Sequence, residues 1–223
     1  MTLYFSHIRL ARNPSARALA ALLRPTESGE RVSAQHHLLW SVFADSAERE
    51  RDFLWREERD GSFLTLSARP PLQTDLFQPH QVKPYAPDLS PGEHLDFLLR
   101  ANATRMRRGG KREDVVKAAI DALEQRERAG RRMEIASSEG KAWLERQGEK
   151  SGFRVMTAVA EDYATLSLPR PGASRGNAMK LGILDLSGRV EITDPALFIT
   201  QMAQGFGRAK SFGCGLMLIR RTR

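Results

Sequence analysis

The sequence contains a single cysteine, Cys214, and no apolar run that approaches the length of a membrane span. One cysteine excludes both a disulfide framework and a cysteine-rich zinc site within the chain. Walker-type phosphate loops, dinucleotide-binding fingerprints and His-x-x-x-His pairs are missing as well. The N-terminal residues show a strand-like pattern and not that of a signal peptide. We therefore expect a cytoplasmic protein without membrane contact that uses no metal and no cofactor.

Positive charge is abundant but unevenly distributed along the chain. Lysine and arginine number 35 against 27 acidic residues, which gives a formal net charge of +8. The segments 100–112 and 170–223 each carry a net charge of +6, so the rest of the chain is net acidic. This asymmetry indicates a localised face that binds an anion, with a solvated basic loop as the alternative.

A glycine-rich segment, residues 205–215, reads Gly-Phe-Gly-Arg-Ala-Lys-Ser-Phe-Gly-Cys-Gly and precedes an apolar strand. Glycine permits positive φ angles and has no Cβ that would keep a phosphate at a distance. This glycine loop favours nucleic-acid binding, and the alternative is a tight helix-to-strand connection with dispensable glycines. Its candidate RNA-binding residues are Gly205, Gly207, Arg208, Lys210, Gly213 and Gly215.

Apolar periodicity and turn signals in the first half of the chain predict a β-α-β-β-α-β order, in which the second helix is weak. The expected elements are a strand over 3–10, helices over 14–23 and 33–43, strands over 52–57 and 62–67, and a weaker strand over 78–85. Asp60-Gly61 is a strong hairpin signal between the second and third strands. Ser33 is expected to cap the helix that ends near residue 43, after a polar loop over 26–31.

The second half repeats this order after a proline-rich boundary. The expected elements are a strand over 95–101, helices over 113–128 and 138–146, a long hairpin of 153–168 and 178–186, a strand over 189–193, a helix capped by Asp194, and a last strand over 212–221. Two such orders predict an α+β fold of tandem ferredoxin-like (RRM-like) domains. The predicted bounds are 1–88 for an N-terminal domain and 89–223 for a C-terminal domain.

His36 and His37 lie on the predicted helix 33–43. Helical spacing places His36 over Trp40 and Phe43, while His37 turns away from them. A satisfied, partly buried imidazole is the simpler interpretation of such a pair. Histidine nevertheless titrates near neutral pH, so His36 can exchange protons without a metal.

Two further groups of cations are candidates for contacts with an RNA backbone. The hairpin tip 169–176 carries Arg170 and Arg175, which can enter a groove of structured RNA or stay solvated. The basic strip consists of Arg105, Arg107, Arg108, Lys111 and Arg112. Cys214 is expected to be a small packing residue, because no activating base is adjacent to it.

Taken together, these residues resemble the CasE family, the repeat-processing endoribonucleases of type I-E CRISPR systems. The glycine loop with the following Leu216 is similar to the family's terminal G-x-G-x-x-K-x-x-G-x-G-L signature. The resemblance covers nearly the whole chain. Its other matching segments are 99–102, 141–145, 152–153, 188–195 and the helical His36-x-x-x-Trp40.

The resemblance implies metal-independent cleavage of CRISPR repeat RNA on the 3′ side of its hairpin. It also implies that the enzyme keeps the mature guide RNA and joins other subunits of the Cascade complex. By position, the family's catalytic histidine corresponds to His36. Family members often carry a tyrosine three residues earlier, where this chain has Ser33, so a two-residue acid–base scheme is not assigned.

The expected chemistry is attack of a ribose 2′-OH on its own 3′-phosphate, which leaves a 2′,3′-cyclic phosphate. His36 either accepts the 2′-OH proton or protonates the leaving oxygen, and the sequence leaves both roles open. Lys210 and Arg208 are expected to hold the phosphate. A non-catalytic RNA-binding or assembly subunit is the first alternative, and a small-nucleotide or phosphate-binding protein is the second.

Overall fold

The computed structural model describes residues 2–13, 25, 27–46, 48–107, 109–168 and 178–222. The helix expected over 14–23, the cation Arg108 and the hairpin-tip residues Arg170 and Arg175 lie outside the described residues. The described elements are β1 (Leu3–Ile8), α1 (Ser28–Phe43), β2 (Phe53–Glu57), β3 (Phe63–Ser67), β4 (Gln81–Tyr85), β5 (His94–Ala101), β6 (Thr104–Met106), β7 (Arg112–Asp114), α2 (Val115–Asp121), α3 (Arg128–Ser151), β8 (Phe153–Leu168), β9 (Met179–Ile192), α4 (Pro195–Gln204), a 3₁₀ turn (Lys210–Phe212) and β10 (Met217–Arg221).

The first of two compact units comprises Met1–Pro87, Ser167–Met179 and Lys210–Gly213. Its sheet has the strand order β2-β3-β1-β4, and the three strand pairs are antiparallel. The first strand therefore lies between the third and the fourth, as in a ferredoxin-like sheet. The predicted hairpin is confirmed, with β2 and β3 joined at Asp60-Gly61. Within the described residues, β3 and β4 are connected by 68–80 without a helix.

α1 packs against this sheet through its apolar side. Leu39, Val42 and Phe43 are fully buried and share one core with Phe53 and Trp55 of β2. Burying an aliphatic or aromatic side chain of this size contributes roughly 1.5–3 kcal/mol. This packing sets the rotation of α1 about its axis, and with it the direction in which the polar side of the helix points.

The start of α1 differs from the sequence expectation. A polar loop over 26–31 with Ser33 as helix cap was expected, but the helix begins at Ser28 and Ser33 lies inside it. Glu27 occupies the N-cap position without a side-chain cap bond. Gly29 is buried so closely against the backbone of Ser167 that a Cβ would overlap the Ser167 carbonyl oxygen. A tertiary contact that only glycine permits therefore extends the helix by more than one turn.

The Gly29→Ala variant is expected to lower the free energy of unfolding by about 1–3 kcal/mol, since the added methyl group must push α1 away from Ser167. Urea denaturation of the variant and the wild type measures the difference. Gly130→Ala on α3 is the matched control, because a Cβ there meets no atom within 4 Å. We expect the control to keep or raise stability, since alanine is the better helix former. Equal stability of Gly29→Ala and the wild type would contradict the close packing.

The second compact unit comprises Asp88–Leu166, Lys180–Ala209 and Cys214–Arg223. Its sheet has the order β10-β5-β9-β8, in which β5 is antiparallel to both of its neighbours. The first strand of this unit again lies between its third and fourth strands. The predicted α+β fold of tandem ferredoxin-like type is thus confirmed. The bounds 1–88 and 89–223 for two independent domains stay a prediction.

The helices between β5 and β8 differ in length from those expected. α2 ends at Asp121, and α3 begins at Arg128 and runs for 24 residues. Ser138, the expected start of the second helix, lies inside α3, where its hydroxyl donates a hydrogen bond to the carbonyl oxygen of Ile135. The buried face of α3 includes Trp143 and Leu144, so packing on the sheet stabilises the longer helix. None of the helices in the described ranges is long and apolar enough to cross a membrane.

β9 is one continuous strand where the sequence predicted two, over 178–186 and 189–193, separated by a turn. The Ser187-Gly188 pair lies inside the strand, and a Cβ at Gly188 would overlap the backbone of Thr157 on β8. Glycine at this position serves a close approach of two strands and not a reversal of the chain. The expected cap of α4 is confirmed, since the Asp194 carboxylate accepts hydrogen bonds from the amides of Ala196 and Leu197 at 3.0 Å.

Candidate functional site

α1 carries His36 and Trp40 one helical turn apart and in direct contact. The indole Nε1–H of Trp40 donates a hydrogen bond to Nε2 of His36 over 3.1 Å. Nε2 therefore carries the lone pair, and the proton of the neutral ring resides on Nδ1. The helical spacing of the sequence predicted the contact, and the structure adds its direction.

A second aromatic ring beside His36 comes from β2. The ring centroids of His36 and Phe53 are 6.4 Å apart, and Trp40 stands edge-on to Phe53 at 5.5 Å. Phe43, which the sequence placed beneath His36, is fully buried and stacks on Phe53 at 4.3 Å. The imidazole is therefore half-buried among aromatic rings.

Burial is the largest cause of a shift that lowers the pKa of His36 to about 4, and repulsion from His37 and Arg51 acts in the same direction. At neutral pH the ring of the free protein is uncharged. An uncharged imidazole is able to accept a proton. A phosphate bound nearby would favour the charged form and raise the pKa again.

The glycine loop brings Lys210 into the same compact unit as His36. Lys210 opens the 3₁₀ turn, which contacts both α1 and β2. Burial, followed by repulsion from Arg51, lowers the pKa of the Lys210 ammonium group. Gly213 ends this part of the loop with a φ of +75°, and a Cβ there would lie 3.4 Å from the Trp55 ring. Glycine at this position allows the loop to reverse close to β2.

Arg51 is a site residue that the sequence did not reveal. In the sequence it follows Glu48, Arg49 and Glu50, a pattern typical of a solvated charged surface. In the structure its side chain is half-buried, and its charge lowers the pKa of both His36 and Lys210. Arg51 therefore lies close enough to interact with each of the other two groups, and we refer to His36, Arg51 and Lys210 as the basic cluster. No sequence signal distinguishes Arg51 from Arg49.

Residues 205–209 and 214–215 of the glycine loop belong to the second compact unit. All four glycines, Gly205, Gly207, Gly213 and Gly215, have positive φ. At Gly207 a Cβ would also come within 2.9 Å of the Asn102 carbonyl oxygen. The backbone needs these glycines, so the interpretation that they are dispensable is wrong. The side chain of Arg208 is exposed, and contact of this loop with RNA stays a prediction.

The described residues of the basic strip lie on a short hairpin in the second unit. β6 and β7 pair antiparallel, and the amide of Arg107 donates to the Lys111 carbonyl oxygen over 2.8 Å to close the turn. Arg105 forms an ion pair with Glu113 at 2.8 Å, which reduces its availability for RNA. Within the described ranges Arg107, Lys111 and Arg112 are exposed and form no ion pair. These three cations form the basic tip.

Several cations that raise the charge of the C-terminal half are neutralised within the second unit. Arg100 binds Asp185 through two hydrogen bonds of 2.7 and 2.8 Å. Asp96 forms ion pairs with Arg189 at 3.1 Å and Arg220 at 3.2 Å. The charge available to an anionic ligand is therefore smaller than the sequence count and concentrated at fewer places.

Cys214 is fully buried, and burial is the largest cause of a shift that raises the pKa of its thiol to about 12. The thiol is protonated at neutral pH, which fits the expected packing role and not that of a nucleophile. In the part of the chain that the structure describes, no group of three or more histidine, cysteine, aspartate or glutamate residues is arranged to hold a metal ion.

Comparison with known proteins finds relatives along nearly the whole chain. The model of the family described as CRISPR associated protein matches residues 3–221. CRISPR-associated endoribonuclease Cse3 of Thermus thermophilus is 26% identical over 231 residues, which cover 95% of this chain and 97% of that protein. The Cascade subunit CasE of Escherichia coli is 28% identical over 193 residues, which cover 82% and 88%.

The same fold is found in a solved structure of CRISPR endoribonuclease Cse3 bound to a 19-nucleotide RNA. The TM-score is 0.71 at 24% sequence identity, with 98% of this chain and 99% of the other covered. The fold is therefore shared over nearly the full length of both chains.

Proposed function

The chain belongs to the family of CRISPR-associated proteins, and on this premise we propose that it is an endoribonuclease that processes CRISPR repeat RNA. It binds the hairpin of the repeat and cleaves the strand on the 3′ side of that hairpin. The enzyme then keeps the mature guide RNA and joins other subunits of Cascade. The names of the relatives, endoribonuclease Cse3 and Cascade subunit CasE, support both the reaction and the assembly.

The observation that carries the proposal is the basic cluster. His36 and Lys210 are 174 positions apart in the sequence, yet both belong to the first compact unit and both interact with Arg51. A proton-exchanging group next to two cations is the combination that transfer of a phosphodiester requires.

The reaction uses a nucleophile that RNA itself supplies. The 2′ oxygen forms a bond to the adjacent phosphorus, the bond from phosphorus to the 5′ oxygen breaks, and a 2′,3′-cyclic phosphate results. One proton leaves the 2′-OH and one proton reaches the 5′ oxygen. The protein therefore has to move protons and to stabilise the charge that develops on the phosphate.

His36 acts as the general base in this proposal. Its ring is uncharged at neutral pH, and the 2′-OH replaces the Trp40 indole at Nε2, where the lone pair accepts the proton. Lys210 binds the phosphate, and its lowered pKa makes the ammonium group a better proton donor to the 5′ oxygen. Ser33 lies one turn before His36 on α1 and supplies no comparable acid.

Affinity for the hairpin comes mainly from contacts with phosphates. The basic tip, Arg105 and Arg108 lie along the RNA backbone, and Arg208 and the glycines of the glycine loop contact further phosphates. Arg170 and Arg175, which lie outside the described residues, contact the stem. Paired RNA hides its base edges in a deep, narrow groove, so shape and such backbone contacts supply much of the selectivity.

A non-catalytic RNA-binding or assembly subunit of the same fold is the alternative. The observation in its favour is Ser33 at the position where the family often has a tyrosine. The non-catalytic alternative predicts the same affinity for the hairpin but no cleaved product.

Incubation with a repeat hairpin RNA in the presence of EDTA tests the proposal. We expect cleavage at one linkage and a product that ends in a 2′,3′-cyclic phosphate, because the nucleophile and the proton-exchanging groups require no metal ion. A matched RNA with a 2′-deoxyribose at that linkage is expected to bind equally and to stay intact.

Tight binding of the all-ribose hairpin without any cleavage would support the non-catalytic alternative. Stronger binding of a mononucleotide than of the hairpin would instead support a small-nucleotide-binding protein.

A further inference from the structure

Arg51 lies in a segment where the acidic side chains nearby bind other arginines. Asp45 accepts from Arg49 at 2.7 Å, and Asp52 accepts from Arg69 at 2.8 Å. Among these three arginines, only Arg51 has no ion pair in the described part of the chain. The charges of Arg49 and Arg69 are therefore neutralised by carboxylates, whereas the charge of Arg51 is not neutralised by any described residue.

One nitrogen of the Arg51 guanidinium group is also withdrawn from water. Its Nη1 atom is buried and has no hydrogen-bond partner among the described residues. A buried donor without an acceptor is unfavourable, and a charged donor more so. Such a group calls for an acceptor that the described chain does not supply.

The neighbours of Arg51 increase this imbalance. Repulsion from Arg51 disfavours the charged forms of both His36 and Lys210, and no acidic side chain among the described residues offsets it. Like charges that are held together in a half-buried site repel one another more strongly than in water. An anion bound beside Arg51 would offset its repulsion of both His36 and Lys210.

We propose that Arg51 is a phosphate-binding residue that, with Lys210, holds the phosphate of the scissile linkage beside His36. This inference rests on the proposed function, since that phosphate is the one whose bond to the 5′ oxygen breaks. The planar guanidinium donates two parallel hydrogen bonds to two phosphate oxygens and stays charged throughout. It donates no proton to the product, so the proton balance of the reaction is unchanged. The buried Nη1 gains its acceptor only when the phosphate is bound.

The cleavage test compares Arg51→Met with Arg49→Met. Methionine removes the charge and keeps most of the apolar stem, and Arg49 is the matched control from the same segment with an ion pair of its own. We expect Arg51→Met to lower the single-turnover cleavage rate by about 10²-fold or more. Arg49→Met is expected to stay within about threefold of the wild type. Arg51→Lys is expected to fall between Arg51→Met and the wild type, because lysine keeps the charge but lacks the planar fork.

Inorganic phosphate supplies a readout that is independent of cleavage. In the wild type, phosphate is expected to raise the pKa of His36, followed by NMR of the imidazole, because it offsets the repulsion from Arg51. In folded Arg51→Met the pKa of His36 is expected to be higher from the outset and to respond to phosphate at least about tenfold more weakly. Near-ultraviolet circular dichroism confirms that the variant is folded. If Arg51→Met does not fold, Arg51→Gln is measured in its place, and the same results are expected for it.

The two readouts separate the failure of this inference from the failure of the proposed function. A wild-type protein that responds to phosphate but cuts no hairpin would contradict the endoribonuclease and leave the phosphate site intact. A wild-type protein that cuts, with a folded Arg51 variant that cuts equally fast and responds equally to phosphate, would overturn the role of Arg51.

Discussion

Replacing His36 with alanine is expected to lower the single-turnover rate of hairpin cleavage by about 10²–10⁴-fold, the usual contribution of a positioned proton-exchanging group. Hairpin affinity should stay within a few-fold of the wild type, because the uncharged ring of the free protein adds no positive charge to the binding surface. Cleavage is measured with excess enzyme and an end-labelled hairpin in EDTA, and affinity with the 2′-deoxy RNA that cannot be cleaved.

His37→Ala is the matched control, since His37 is the exposed neighbour of His36 on α1. We expect it to cleave at nearly the wild-type rate. The pH profile supplies a second check: a general base is active only when unprotonated, so kcat/KM should fall as the pH drops through about 4 and stay level from there to neutral pH. An unchanged cleavage rate in His36→Ala would remove this residue from the mechanism.

Replacing the three residues of the basic tip, Arg107, Lys111 and Arg112, with alanine is expected to weaken hairpin binding by about 10- to 100-fold at low salt. Each lost phosphate contact also reduces the salt dependence of binding, so the slope of log K against log salt should become shallower by about 3. Fluorescence anisotropy with the uncleavable hairpin, titrated at several salt concentrations, measures both quantities. Cleavage of RNA that is already bound should be nearly unaffected, because the groups that we propose to react belong to the basic cluster.

The matched control removes Arg126, Arg146 and Lys150, three exposed cations of the same unit, and so changes the net charge equally. We expect the control to bind with nearly wild-type affinity and an unchanged salt slope. If both triple variants weakened binding alike, the effect would come from overall charge and not from the basic tip. If neither weakened it, the basic tip would be solvated surface only.

Parts of the candidate site were predictable because their signals are local. His36 and Trp40 are four residues apart on an amphipathic helix, and this spacing places their side chains in contact. The glycine loop was recognisable because repeated glycines mark a backbone that needs positive φ, which the structure confirms. The closing of the loop over β2, which brings Lys210 into the unit of His36, depends on packing between residues that are distant in the sequence.

Element boundaries were less predictable, since tertiary contacts override local signals. Ser33 has the chemistry of a helix cap, yet α1 starts earlier because Gly29 fits against Ser167. Ser187-Gly188 has the composition of a turn, yet it lies inside β9 because Gly188 lets β8 pass close by. In both cases a glycine allows a distant part of the backbone to come close, and the local sequence does not show which part that is.

The sequence by itself determined the family resemblance, the tandem ferredoxin-like fold and the contact between His36 and Trp40, because motifs and periodicities are properties of neighbouring residues. Only the tertiary structure decided which cations are available to an anion: Arg100 is bound to Asp185, while Arg51 is left half-buried without an ion pair among the described residues. The physical reason is that ion pairing and desolvation depend on distances through space. Residues that are far apart in the sequence set those distances, and no local pattern records them.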